Sequence, residues 1–74
     1  MIWNVRLFAH LREAHGDCVE IEAEPTTNDV LAALSELGIQ VQASRLAADD
    51  EFVRPGDSLK AGQQLALIPP VSGG

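Results

Sequence analysis

The residues best suited to chemistry close the chain: Pro69-Pro70-Val71-Ser72-Gly73-Gly74. Two successive prolines hold an extended course without internal hydrogen bonds, so whatever follows them is projected away from the body of the protein. The four residues Val71, Ser72, Gly73 and Gly74 span at most about 13 to 14 Å, enough to thread a narrow cleft in another protein. Glycine lacks Cβ, so Gly73 and Gly74 permit close backbone approach and leave the carboxylate of Gly74 sterically open. A carboxylate is a poor electrophile until ATP converts it to an acyl-adenylate; a sulfur donor can then displace AMP and leave a thiocarboxylate. Gly74 is therefore the expected reactive residue, with Gly73, Ser72 and Val71 as the strip that delivers it. Serine and glycine also compose plain flexible ends, and it is the proline pair that shifts the reading toward a presented terminus.

The other reactive residue types form no catalytic set. The single cysteine, Cys18, excludes an internal disulfide, and His10 and His15 are five apart, off the spacing that puts two ligands on one helical face. No metal site is expected. Asp49-Asp50-Glu51 lacks the glycine and ligand spacing of a calcium loop and reads as a solvated turn. Arg12 and Lys60 suit either contacts to a partner or surface ion pairs.

Positioning the tail falls to a small set of elements. Residues 2 to 8 alternate, with Trp3, Val5 and Leu7 on one side and Asn4 and Arg6 on the other, the period of a half-buried strand. Residues 18 to 23 alternate likewise, placing Val19, Ile21 and Ala23 inward. Between them, residues 9 to 15 are rich in helix formers and end at Gly16-Asp17, which predicts a helical turn and a tight loop. Thr26 followed three residues later by Asp29 is a helix start, and Val30, Leu31, Leu34 and Leu37 fall on one face before Gly38, a C-terminal cap. The helix is expected from about Thr27 to Leu37. Leu46-Ala47-Ala48 and Phe52-Val53 flank the acidic turn as short strands, Pro55-Gly56-Asp57 is a turn, and residues 64 to 68 form a last strand ended by Pro69. Two strands, a crossing helix and returning strands predict an α+β β-grasp fold: a mixed sheet crossed by one main helix, with residues 1–70 as the domain and 71–74 as a flexible Gly-Gly tail.

With 74 residues there is room for one core and no second module. Five basic residues against eleven acidic ones give a formal charge of -6, which repels nucleic acid and suits either solubility or steering toward a basic protein. The first residues carry no apolar run of signal-peptide length, and nothing approaches the roughly 20 apolar residues of a membrane span. A soluble, cytoplasmic protein without membrane contact is expected.

The ending from Leu65 to Gly74 closely resembles that of the molybdopterin synthase small subunit family. The resemblance extends over nearly the whole chain: Val5-Arg6-Leu7-Phe8-Ala9 with Leu11-Arg12-Glu13, the Pro25-Thr26 helix entry, Leu46-Ala47-Ala48 and Lys60-Ala61-Gly62 all follow in the family's order. Gly-Gly alone is common to ubiquitin-like carriers, whereas Pro-Pro-Val-Ser-Gly-Gly is specific to this branch. The resemblance implies a sulfur carrier with no bound cofactor, charged at Gly74 by an E1-like adenylating and sulfurylating enzyme that consumes ATP. The charged carrier would insert into the large catalytic subunit of molybdopterin synthase. There it would donate sulfur to cyclic pyranopterin monophosphate within a heterotetramer of two small and two large subunits. General acid and base groups would come from that partner.

It also implies an interface through apolar side chains on the exposed sheet face, at Phe8, Phe52 and Ile68. The alternation agrees, since Phe8 shares a face with Asn4 and Arg6, and Ile68 points away from the side of Leu65 and Leu67. Singly exposed apolar residues are, however, ordinary. Asp49 in place of a frequent asparagine, and Leu67-Ile68 in place of a frequently aromatic pair, depart from the family and bear on docking. Other roles remain open: a sulfur carrier for thiamine, cysteine or tRNA thiolation, or a β-grasp module that binds a partner without covalent chemistry.

Overall fold

A computed structural model describes residues 1–70; the positions assigned to the tail, Val71, Ser72, Gly73 and Gly74, lie outside the described residues. The elements run β1 (Ile2–Leu7), α1 (Ala9–His15), β2 (Cys18–Glu22), α2 (Thr27–Glu36), β3 (Arg45–Ala48), β4 (Glu51–Phe52) and β5 (Leu65–Ile68). They build one five-stranded sheet in the order β2-β1-β5-β3-β4. The two central strands, β1 and β5, pair in parallel and every other pairing is antiparallel. This is the expected α+β β-grasp with a mixed sheet.

Alternation decides which face is buried. Trp3, Val5 and Leu7 of β1 lie beside Ile21 of β2 and Leu65 and Leu67 of β5, and all are almost fully buried. Val30 and Leu34 of α2 close over them. The buried indole of Trp3 keeps its polar atom satisfied, Nε1–H donating to the Ala23 carbonyl oxygen at 3.0 Å.

The helix begins as its sequence predicts. The Asp29 N–H donates to Thr26 Oγ1 at 3.1 Å, and the Thr26 hydroxyl donates to Asp29 Oδ2 at 2.7 Å. Only half of a reciprocal capping box is made, because the Thr26 N–H is taken by the Glu24 carbonyl at 2.7 Å. The C-terminus corrects one expectation: Leu37 does not join the core but is 54% exposed. The helix stops at Glu36, one residue before a fourth apolar contact is reached, and Gly38 takes φ +87°. The N–H groups of Gly38 and Ile39 then donate to the carbonyls of Ser35 and Leu34, a Schellman ending that folds Ile39 back onto Leu34 in the core.

Residues 54–60 are stitched to the start of α2. The Thr27 N–H and hydroxyl both donate to the Asp57 carbonyl, at 3.0 and 3.2 Å, and the Leu59 N–H donates to the Pro25 carbonyl at 2.8 Å. These bonds bury Thr27 and Leu59, two positions that no periodic pattern marks.

Candidate functional site

The sheet face opposite α2 is open, and the strand registers map it directly, because cross-strand partners point to the same side. Arg6 pairs with Cys18 on β2 and Ala66 on β5; Ala66 pairs with Ala47 on β3, and Ala47 with Phe52 on β4. A row Cys18–Arg6–Ala66–Ala47–Phe52 therefore crosses all five strands. In the adjacent row Arg45 pairs with Ile68. Phe8, one residue beyond the Leu7–Leu67 pair, lies next to Ile68.

Phe8, Phe52 and Ile68, expected from sequence to share a face, thus meet around one shallow cavity of about 170 Å³ whose floor includes Ala47 and Ala66. Small residues at the centre let the larger ones stand as a rim. Phe52 is 50% exposed, and Phe8 and Ile68 are half-buried, so each retains apolar surface toward solvent. Arg6 also lines the cavity, and Arg45 stands beside it, against Phe52 and opposite Ile68. The guanidinium carbon of Arg45 stands 3.8 Å from the centroid of the Phe52 ring, and that of Arg6 5.5 Å from that of Phe8. Alternation alone placed Arg6 with Phe8; the Arg45–Phe52 stack depends on the β3–β4 hairpin and had no local signal.

Hydrogen bonds hold the cavity's far edge. The Asp49 N–H donates to the Gln64 carbonyl at 2.9 Å, and the Gln64 N–H donates to Asp49 Oδ1 at 3.0 Å. The acidic side chain thereby extends the β3–β5 ladder by one rung, a bond that an asparagine oxygen would make equally well. The ladder ends at the Arg45–Ile68 pair, after which Pro69 is buried and Pro70 exposed. The chain thus leaves a central strand beside the apolar cavity, with the start of its exit packed into the domain.

The remaining reactive residue types are dispersed. Cys18 is exposed at the edge strand, and His10 and His15 are exposed on α1. No group of histidine, cysteine or carboxylate side chains capable of holding a metal occurs among the described residues. Arg12 makes an exposed ion pair with Asp17, Nε to Oδ1 at 3.2 Å. No helix among the described residues is long and apolar enough to cross a membrane.

Several known proteins share this fold. SAMP1 from Haloferax volcanii superimposes with a TM-score of 0.75 at 29% identity over all of both chains. A second structure of H. volcanii small archaeal modifier protein 1 gives 0.73 at 27% identity, covering 95% of this chain and 98% of that one. A chain from the complex of subunits 1 and 2 of molybdopterin-converting factor from Helicobacter pylori 26695 gives 0.72 at 28% identity over all of both chains. No curated protein matches the sequence. The model of the ThiS family matches residues 5–74, the β-grasp domain and the Gly-Gly ending together. On that match and the shared fold, the chain belongs to the ThiS family of small, ubiquitin-like sulfur carriers, which are not themselves catalytic.

Proposed function

We propose that this chain is the sulfur-carrying small subunit of molybdopterin synthase. The observation that carries the reading is the meeting of Phe8, Phe52 and Ile68 on the open sheet face beside the exit of β5. A partner seated on that face lies beside the end of β5, from which the chain continues to the Gly-Gly terminus. Similarity to a chain of the molybdopterin-converting factor complex supports the choice of pathway, as does the Pro-Pro-Val-Ser-Gly-Gly ending.

In this reading Gly74 is the cargo residue. Its carboxylate attacks the α-phosphorus of ATP in an E1-like activating enzyme and pyrophosphate leaves. A sulfur nucleophile then adds to the acyl carbon and AMP departs, leaving a thiocarboxylate once any persulfide sulfur has been reduced by a thiol. Gly73, Ser72 and Val71 thread the active site of the large subunit, which supplies the acid and base groups for transfer to cyclic pyranopterin monophosphate. Two small and two large subunits make up the enzyme.

The similarity to small archaeal modifier protein 1 favours a second reading, in which a lysine amine and not sulfur displaces AMP and the chain becomes attached to other proteins. One experiment separates them. The protein is incubated with its activating enzyme, ATP and a sulfur donor, and the C-terminal peptide is weighed before and after addition of the large subunit and pterin precursor. The proposal expects one oxygen replaced by sulfur at Gly74, lost again as dithiolene forms, and no turnover after deletion of Gly74. Sulfur found only on Cys18, or isopeptide adducts without a thiocarboxylate, would overturn it.

A further inference from the structure

We infer that Arg6 and Arg45 select the partner of the open sheet face, and that this partner is a protein surface with carboxylates opposite the two arginines and apolar side chains between them. The inference rests on the proposed docking through Phe8, Phe52 and Ile68 and deepens it.

Charge distribution carries the argument. The chain has eleven acidic and five basic residues, so a basic side chain has many possible internal partners. The one ion pair among the described residues nevertheless joins Arg12 to Asp17, away from this face. Arg6 and Arg45 instead lie against phenyl rings. Stacking uses the face of a guanidinium and leaves its N–H groups, which lie in its plane, free to donate. It also removes rotamer freedom in advance, so less entropy is lost when a bidentate carboxylate arrives. Two oriented guanidinium groups, neither in an ion pair with any described residue, therefore stand on one face, Arg6 lining the apolar cavity and Arg45 beside it against Phe52, where one partner surface can cover both.

The edges of the same face have the opposite sign. Glu20 and Glu22 pair with Asn4 and Ile2 and thus point outward on β2, while Asp50 is exposed at the β3–β4 turn and lines the cavity. The face reads negative, positive, negative from β2 to β4. A uniformly basic partner, attracted by the net charge of -6, would meet the two arginines as like charges on docking. A partner with acidic residues at the centre of its footprint fits, so net charge sets the approach and the arginines set the choice.

The test measures affinity of the intact chain for the large subunit of molybdopterin synthase and for the activating enzyme, using Arg6→Gln, Arg45→Gln, the double variant, Arg45→Lys and Phe52→Asp. Each glutamine variant should bind its partner about tenfold more weakly and the double variant about 100-fold, with Arg45→Lys in between. Affinity of the wild type should fall as NaCl is raised, and that of the double variant should fall less. Unchanged melting curves of the free variants, both arginines being exposed, keep affinity separate from folding. If Phe52→Asp abolishes binding while the arginine variants bind like wild type, the face docks but the charge assignment is overturned. If the wild type binds the activating enzyme in an arginine-dependent way but never the large subunit, the assignment stands and the molybdopterin reading falls. Binding to neither protein would overturn both.

Discussion

Leu67 and Ile68 are neighbours on one strand, yet truncation of each should have a different kind of effect. Leu67 is fully buried between its register partners Leu7 on β1 and Leu46 on β3, both also buried. Those partners are fixed by ladders on either side, so little collapse can fill the space that Leu67→Ala would leave. The cost should fall in the upper part of the range for buried leucines, about 3 to 5 kcal/mol. A chain of 74 residues has a total stability of about 4 to 11 kcal/mol. Leu67→Ala therefore removes something near half of it, and at about 4 to 8 °C per kcal/mol the melting temperature should fall by at least about 12 °C. Ile68 points to the open face and is half-buried, so Ile68→Ala should cost about 1 to 2 kcal/mol and melt only modestly earlier. Its larger effect should be on partner affinity, where an apolar contact is lost from the centre of the footprint. Urea titration followed by fluorescence of the single tryptophan, the buried Trp3, measures both variants in one format. Equal destabilisation by the two truncations would refute the face assignment, because Ile68 would then be a core residue with no surface to offer.

Thr26→Ala should cost about 1 kcal/mol by removing the acceptor for the Asp29 N–H, and Thr26→Ser should recover most of it; equal losses in thermal melts would mean that the threonine methyl, and not the hydroxyl, matters. Asp17→Asn removes an ion pair whose side chains are 64% and 88% exposed, and should change stability in urea by less than about 0.5 kcal/mol. A larger loss would show that the pair is held more rigidly than its exposure suggests.

Where local pattern and tertiary burial coincide, the fold was legible in the sequence. The alternation of β1 is preserved residue by residue, and Thr26, Asp29 and Gly38 mark the ends of α2. Leu37 misled because apolar periodicity continued one residue past the last helical residue, Glu36, while Ile39, which carries no periodic signal, took the core position through the Schellman bonds. Leu59 and Thr27 were hidden for a related reason: their burial comes from a loop crossing to Pro25 and Asp57, a non-local pairing that no window of sequence contains. The candidate site divides in the same way. Resemblance named Phe8, Phe52 and Ile68 and alternation put two of them on the open face, but only the strand order β1-β5-β3-β4 brings the three together and adds Arg45.

That convergence depends on one tight turn. Asp49 and Asp50 have φ of 49° and 69°, the left-handed conformation at both central positions of a two-residue hairpin loop. Such turns match the twist of their flanking strands, but side chains other than glycine resist them; aspartate is among the more tolerant because its carboxylate can hydrogen-bond locally. Here the carboxylate of Asp49 is engaged by the Gln64 N–H, which ties the turn to the start of β5 and offsets part of the conformational cost. A two-residue loop leaves no slack, so Glu51 must pair with Ala48 and Phe52 with Ala47. Slipping by a single residue would swing Phe52 to the opposite face of the sheet, separating it from Arg45 and removing it from the cavity. The left-handed backbone at Asp49-Asp50 thus places the outermost aromatic residue of the face in line with Ala66 and Arg6, two and three strands away, and it is this register that makes five short strands present one surface to a partner.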